Sequence, residues 1–205
     1  MHDREAEILD AAEQLFAEGG LEALTVRALV SRSGASTGSL YHRYRDRGGV
    51  LAALALRALN EGLGPMNAAV AGTLDAQLGV EGMVLAWLDW VVARPVQARI
   101  VYATFGAPEL APYEEQIQQI KMGLYTPLFG WMTARIAEGA LRPLPPWAFD
   151  PIVFGPAHEL ARRWLMGAPL PMGEARALVA EAVWRAVAPD PSASARDQIC
   201  PRSVG

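Results

Sequence analysis

Lysine is almost missing from this chain: Lys121 is the single one among 18 basic residues, and the rest are arginine. With 22 acids the net charge is -4, which argues against a protein that coats nucleic acid by bulk charge. Cysteine is reduced to Cys200 in the tail, so no intrachain disulfide can form, and a cytoplasmic location is the expectation. No uninterrupted apolar run reaches the roughly 18 to 20 residues of a membrane span, and Met1 to Glu18 is too rich in carboxylates for a leader peptide. Membrane insertion is therefore not expected. The chain also lacks a nucleophile elbow, a phosphate-cradling glycine loop and any His, Cys or carboxylate cluster at metal-ligand spacing. No catalytic residue, cofactor or metal is assigned, and an enzyme is not expected.

What is present is helix. At 205 residues and 52% hydrophobic content the chain can bury a good core, and strand-type alternation is absent. Ile8, Leu9, Ala12, Leu15 and Phe16 recur at helical spacing over about 3–18, where Gly19 and Gly20 end the first helix. The stretch 25–51, TVRALVSRSGASTGSLYHRYRDRGGVL, reads as two short helices around a glycine turn and the start of a further helix, which is helix-turn-helix spacing. Thr25 caps the first of these, with Val26, Leu29 and Val30 as its buried stripe, and Gly34 ends it. Ser36 caps the second, which offers Thr37, Gly38, Ser39, Tyr41 and His42 outward and turns Leu40 and Tyr44 inward. Arg27, Arg32, Arg43, Arg45 and Arg47 rim this face against one acid, Asp46. A locally basic helix with small polar residues suits a DNA major groove between two phosphate backbones.

With ILDAAEQLFAEGG before it, this segment resembles the amino-terminal domain of the TetR family of transcriptional repressors over about Arg4 to Leu54. The resemblance places the recognition helix at Ser36 to Tyr44, where Tyr41, His42, Arg43 and Tyr44 stand for the family's Tyr-any-His-Phe ending. It implies DNA contacts from Thr25, Arg27, Ser36, Thr37, Gly38, Ser39, Tyr41, His42, Arg43 and Arg47. Arg47 replaces the lysine that the family sets on a phosphate. Gly48 replaces an acid and, with Gly49, weakens the helix start by ~1 kcal/mol each relative to alanine.

The remaining chain reads as helices at about 46–63, 80–93, 96–105, 113–139, 150–167 and 171–188. Gly64-Pro65 is expected to kink or break the first of these, with a second piece over 66–71, and Pro127 to bend the fourth. Asp150 and Pro151 form the expected start of the fifth. The expected class is all-α with about nine helices. A helix-turn-helix domain at 1–48 precedes a larger ligand-binding and dimerisation domain at 49–188, and 189–205 is a polar, breaker-rich tail expected to be disordered.

In the larger domain Trp87, Trp90, Tyr102, Phe105, Met122, Tyr125, Phe129 and Phe154 form a surplus of large side chains. The plain reading is a packed helical core. The sharper one is a cavity for an apolar or aromatic ligand, with His158 as a polar handle. The TetR resemblance favours the second, because the family's carboxy-terminal domain binds a small molecule that alters DNA affinity. It also implies a homodimer through the last two helices, with Leu160, Trp164, Val179 and Val183 on their apolar faces. The function expected is a ligand-responsive repressor of a palindromic operator. The alternative is a regulator whose carboxy-terminal part only dimerises or binds a protein partner.

Overall fold

The computed structural model describes residues 4–104 and 106–189. Phe105, and the expected disordered tail beyond residue 189 with Cys200, lie outside the described residues. Among those residues the structure is helix and turn without a strand: α1 (Arg4–Gly19), α2 (Val26–Ser33), α3 (Thr37–Tyr44), α4 (Arg47–Val70), α5 (Ala76–Ala93), α6 (Pro95–Thr104), α7 (Glu114–Ala137), α8 (Pro146–Phe149), α9 (Gly155–Leu165) and α10 (Met172–Val187). Turns of 3-10 helix occupy Gly20–Ala23 and Pro108–Tyr113.

Two compact units divide the chain, Met1–Pro65 with Asp89–Thr126 and Met66–Leu88 with Pro127–Gly205. The divisions fall inside α4, α5 and α7, two of them next to Pro65 and Pro127. The units therefore do not follow a 48/49 boundary. In the first, α1 buries Ile8, Leu9, Ala12, Leu15 and Phe16 as its spacing dictates, and α4 adds Val50, Leu51, Leu54, Leu59 and Leu63. α6 lies on α1, with Gln97 Nε2 donating to Glu13 Oε1 at 2.7 Å. Arg57 ties α4 to the same helix through Asp10, Glu13 and the Leu9 carbonyl. In α2 only Leu29 is fully buried; Val26 and Val30 sit at the edge, because eight residues present too narrow an apolar face for three.

In the second unit the core is built from Val80, Met83, Val84, Trp87, Leu128, Met132, Val153, Ala161, Ala180 and Val183. α5 is the one described helix long and apolar enough to cross a membrane, and half of it is buried within the protein. Ala76, Gly79, Val80, Met83, Val84, Trp87, Leu88, Trp90 and Val91 are its buried residues, and they recur at helical spacing along one face. It begins at Ala76 because Asp75 caps it, Oδ1 accepting from Leu78 N–H at 2.9 Å. Trp131 Nε1 donates to the Thr73 carbonyl at 2.7 Å and Arg135 Nη1 to the Leu74 carbonyl at 3.0 Å, so α7 holds the α4–α5 corner. A side chain at Gly79 would place Cβ 2.1 Å from the Trp131 ring, which only glycine avoids.

Two expected helix ends are not ends. α4 runs through Pro65 to Val70 without interruption, and the helix expected from Asp150 begins at Pro146. A π-helical turn at Asp150–Phe154 joins α8 to α9 and takes up Pro151 ahead of Pro156. The wider turn supplies the slack that a proline inside a regular helix lacks.

Candidate nucleic-acid interface

The two short helices are defined by their ends. Thr25 Oγ1 accepts from Ala28 N–H at 3.1 Å, and Gly34, at φ 66°, closes α2 by donating to the Val30 carbonyl at 3.1 Å. Ser36 Oγ accepts from Ser39 N–H at 3.0 Å and opens α3. These caps satisfy amides that eight-residue helices could not otherwise spare. Leu40 and Tyr44 are buried, which fixes the roll of α3 and leaves Thr37, Gly38, Tyr41, His42 and Arg43 exposed, with Ser39 half-buried. Thr25 and Ser36, expected as DNA contacts, hold helix ends with their hydroxyl oxygens.

The arginines sort into two groups. Arg27 and Arg45 are exposed, and their side chains make no hydrogen bond or ion pair to the described residues. The others are engaged by acids that the local sequence did not point to. Arg43 pairs with Glu5 of α1. Arg32 holds Glu18 through two hydrogen bonds of 2.8 and 2.9 Å, and the Glu18 carboxyl is kept below its usual range by that guanidinium. Arg47, expected on a phosphate, instead donates to the Leu24 carbonyl at 2.9 Å, the Leu21 carbonyl at 2.6 Å and Glu109 Oε1 at 3.1 Å. Its planar fork clamps the start of α4 to the α1–α2 connection.

The exit of α3 is tight. Arg45 takes φ 65° and ψ -48°, with Asp46 N–H donating to the Tyr44 carbonyl at 2.8 Å, which is a γ-turn of the rare positive-φ kind. Asp46 then caps α4, Oδ1 accepting from Gly49 N–H at 3.0 Å and from Tyr113 Oη at 2.8 Å. Desolvation raises the Asp46 pKa, but hydrogen bonds from Gly49, Tyr113 and Gly48 and the nearby Arg45 charge outweigh it, so the carboxyl stays below its ordinary value. Tyr113 is raised, by burial and by donating to that carboxylate. Gly48 and Gly49 are here for space rather than as a weak helix start. A Cβ on Gly49 would lie 1.9 Å from the Tyr44 carbonyl oxygen, and one on Gly48 would lie 2.7 Å from the Glu109 carbonyl oxygen.

Residues 8–54, which hold α1 to the start of α4, match the family described as bacterial regulatory proteins, tetR family. Over 81 residues the chain is 36% identical to the HTH-type transcriptional repressor KstR2 of Rhodococcus jostii, a match that spans 40% of each protein. Its amino-terminal segment, residues 8–54, is a match to the tetR family of bacterial regulatory proteins. The whole fold agrees: the crystal structure of a TetR family transcription regulator from Marinobacter aquaeolei is similar with a TM-score of 0.75 at 20% identity, over 91% of this chain and 96% of that one. FadR of Bacillus subtilis, crystallised with stearoyl-CoA, is similar with a TM-score of 0.70 at 18% identity, over 87% and 96% of the two chains.

The expected ligand-binding side chains among the described residues divide between the two units. Trp87, Phe129, Phe154 and His158 belong to the second unit; there Trp87 and Phe154 are buried, and the Trp87 ring meets His158 edge-on at 5.0 Å. Phe129 packs against Phe149 and Phe154 with ring centroids 6.3 and 6.5 Å away. Trp90, Tyr102, Met122 and Tyr125 belong to the first unit, and Met122 is 70% exposed because the face of α7 that carries it points outward. A cavity of about 180 Å³ does lie inside the first unit, between α4, α6, the 108–113 turn and α7, and among the described residues none of the expected side chains lines it. Tyr113, Glu109 and Arg57 were missed by sequence reasoning, since each acts on a partner more than forty residues away.

Among the dimer candidates, Leu160, Trp164 and Val179 are half-buried, but Val183 is 1% exposed and faces the chain's own interior. The apolar residues of α10 lie on two sides of the helix, and the outward one is marked by Leu178, 65% exposed.

Proposed function

We propose that this chain is a DNA-binding transcriptional regulator of the repressor type, which reads a palindromic site as a dimer and is released by a small molecule. The observation that carries the reading is the exposed face of α3. Its caps and the burial of Leu40 and Tyr44 hold Thr37, Gly38, Tyr41 and His42 outward in the arrangement by which a second helix enters the major groove. The repressor name borne by KstR2 agrees in sense. Arg27 and Arg43 supply phosphate contacts in this reading, whereas Arg47 keeps the fold together. Dimerisation falls to the outward faces of α9 and α10.

For the effector, the packed aromatic cluster of the second unit favours a part that only dimerises, and the cavity of the first unit favours a sensor. Its about 180 Å³ is near the ~150 Å³ that admits a benzene-sized guest. That is below the roughly 300 to 1,000 Å³ of drug-sized sites. A long acyl chain of the kind FadR binds is not its natural occupant. The DNA claim is tested by selecting duplexes from a random library with the purified chain. A two-fold symmetric consensus, with half-sites about one helical turn apart, supports it, and recovery of no consensus overturns it.

A further inference from the structure

We infer that Arg45 is a further DNA contact of this chain, that it grips a phosphate where the end of α3 leaves the major groove, and that the strained turn at this residue sets its direction. The inference rests on the reading of the chain as a DNA-binding regulator and adds to it a residue outside the set that the family resemblance implies.

Backbone conformation singles Arg45 out. Six other described residues stand at positive φ, and all six are glycine. Arg45 alone carries a side chain there, at φ 65°, in a turn that strains any L residue and that glycine would adopt freely. Such strain persists where the surroundings dictate the backbone, and it gathers at residues with a task. Here the surroundings converge on one oxygen. The Tyr44 carbonyl accepts from Asp46 N–H at 2.8 Å, the Tyr113 hydroxyl lies 3.3 Å from it, and Gly49 passes it with no Cβ. The task is not a contact within the fold, because the Arg45 side chain is exposed and makes no hydrogen bond or ion pair to the described residues. Its charge favours the ionised Asp46 cap less than the hydrogen bonds from Gly49, Tyr113 and Gly48 do.

Position supplies the task. Arg45 N–H donates to the Tyr41 carbonyl at 2.9 Å, so Arg45 sits one helical turn beyond Tyr41, at the far end of the exposed face. A reading helix turns its first residues to base edges, and its far end passes one of the two phosphate backbones that bound the groove. Arg27, the other exposed arginine of this segment that makes no such bond, stands in the first turn of α2. The two uncommitted guanidiniums therefore mark the beginning and the end of the helix-turn-helix. Arg32, Arg43 and Arg47 are engaged by Glu18, Glu5 and Glu109. Arginine suits the place because its planar fork meets two phosphate oxygens at once.

The test uses the full chain, a duplex that it selects from a random library, a scrambled duplex of the same length, and the variants Arg45→Gly, Arg45→Ala and Arg45→Lys. The Gly and Ala variants should each flatten the dependence of log K on log salt by about one ion, and the Lys variant should keep the wild-type slope, since its ammonium still neutralises one phosphate. Affinity should fall by the same factor on both duplexes. Without DNA, Arg45→Gly should have a higher urea midpoint than Arg45→Ala, because glycine alone relaxes at positive φ. Wild-type slopes in the Gly and Ala variants, which a residue that only supports the fold would give, overturn the contact. A slope in the Lys variant as flat as in Ala does the same, and a loss confined to the selected duplex overturns the assignment to a phosphate. A midpoint in Arg45→Ala equal to or above that in Arg45→Gly overturns the strain. If the wild type binds neither duplex the DNA-binding reading fails and the contact with it, while the urea midpoints still judge the turn on their own.

Discussion

Tyr113 Oη donates to Asp46 Oδ1 at 2.8 Å across 67 residues of sequence, at the point where α3 gives way to α4. Around that bond Gly48 and Gly49 leave no room for side chains. Helix propensity alone says that Gly49→Ala stabilises the chain by ~1 kcal/mol. The structure reverses the sign: the new Cβ meets the Tyr44 carbonyl, and overpacking of this kind costs about 1 to 3 kcal/mol. A urea unfolding midpoint above that of the wild type would show that the turn is looser than described.

The acids of α1 hold back part of the basic face. Glu5 pairs with Arg43, and in the proposed reading a phosphate must displace it. Glu5→Gln should raise DNA affinity and steepen the dependence of log K on log salt by about one ion. Arg27→Ala should flatten it by about one. Arg47→Ala should leave the slope as it is and lower the melting temperature, since its fork is spent on Leu21, Leu24 and Glu109. Salt titrations of the three variants on one duplex decide among these roles.

The bond between Tyr113 and Asp46 sets a pH window. Asp46 titrates below its ordinary value in the fold, so its contribution is present above its unfolded pKa of about 3.9 and is lost as pH falls through the lower folded value. Tyr113 titrates above its ordinary value, so its contribution is complete below an unfolded pKa of about 10 and is lost as pH rises through the higher folded value. Glu159, held at about 2 by hydrogen bonds from Arg162 and Arg163, adds a further loss between its ordinary 4.5 and that value. Urea midpoints across pH should show Tyr113→Phe lacking the alkaline loss and Glu159→Gln lacking part of the acid one. Curves that superpose on the wild type would remove these assignments.

Burial separates two positions on α10 that look alike in sequence. Leu178→Glu should lower the dimer fraction in sedimentation and leave the fold intact, because Leu178 is exposed within the chain. Val183→Glu should reduce thermal stability at every concentration, because it buries a charge in the protomer core. The reverse pattern would move the interface to the other side of the helix.

The helix-turn-helix was legible because its signals are local. Thr25, Gly34 and Ser36 act within four residues of themselves, and Leu40 and Tyr44 declare their face by spacing. The engaged arginines were not legible in the same way. Glu5, Glu18 and Glu109 lie far along the chain from Arg43, Arg32 and Arg47, and nothing in a list of charges says which will pair. Gly48 and Gly49 were misread for the same reason, since the groups that exclude a side chain include Tyr113 and Glu109. Val183 was misplaced because two apolar faces of one helix look equivalent until a neighbour covers one. The aromatic surplus gave the composition of a core and not its layout, so the cavity came to be lined by leucines, a valine and a lysine.

The claim that α3 reads bases is tested most directly by repeating the duplex selection with Thr37→Ala and Tyr41→Ala beside the wild type. Both side chains are exposed and neither belongs to the core, so the variants should fold alike. The account predicts a palindromic consensus for the wild type and, in each variant, altered preference at the same one or two positions of both half-sites, at about 1 to 3 kcal/mol of lost discrimination. A consensus identical in all three proteins would contradict it.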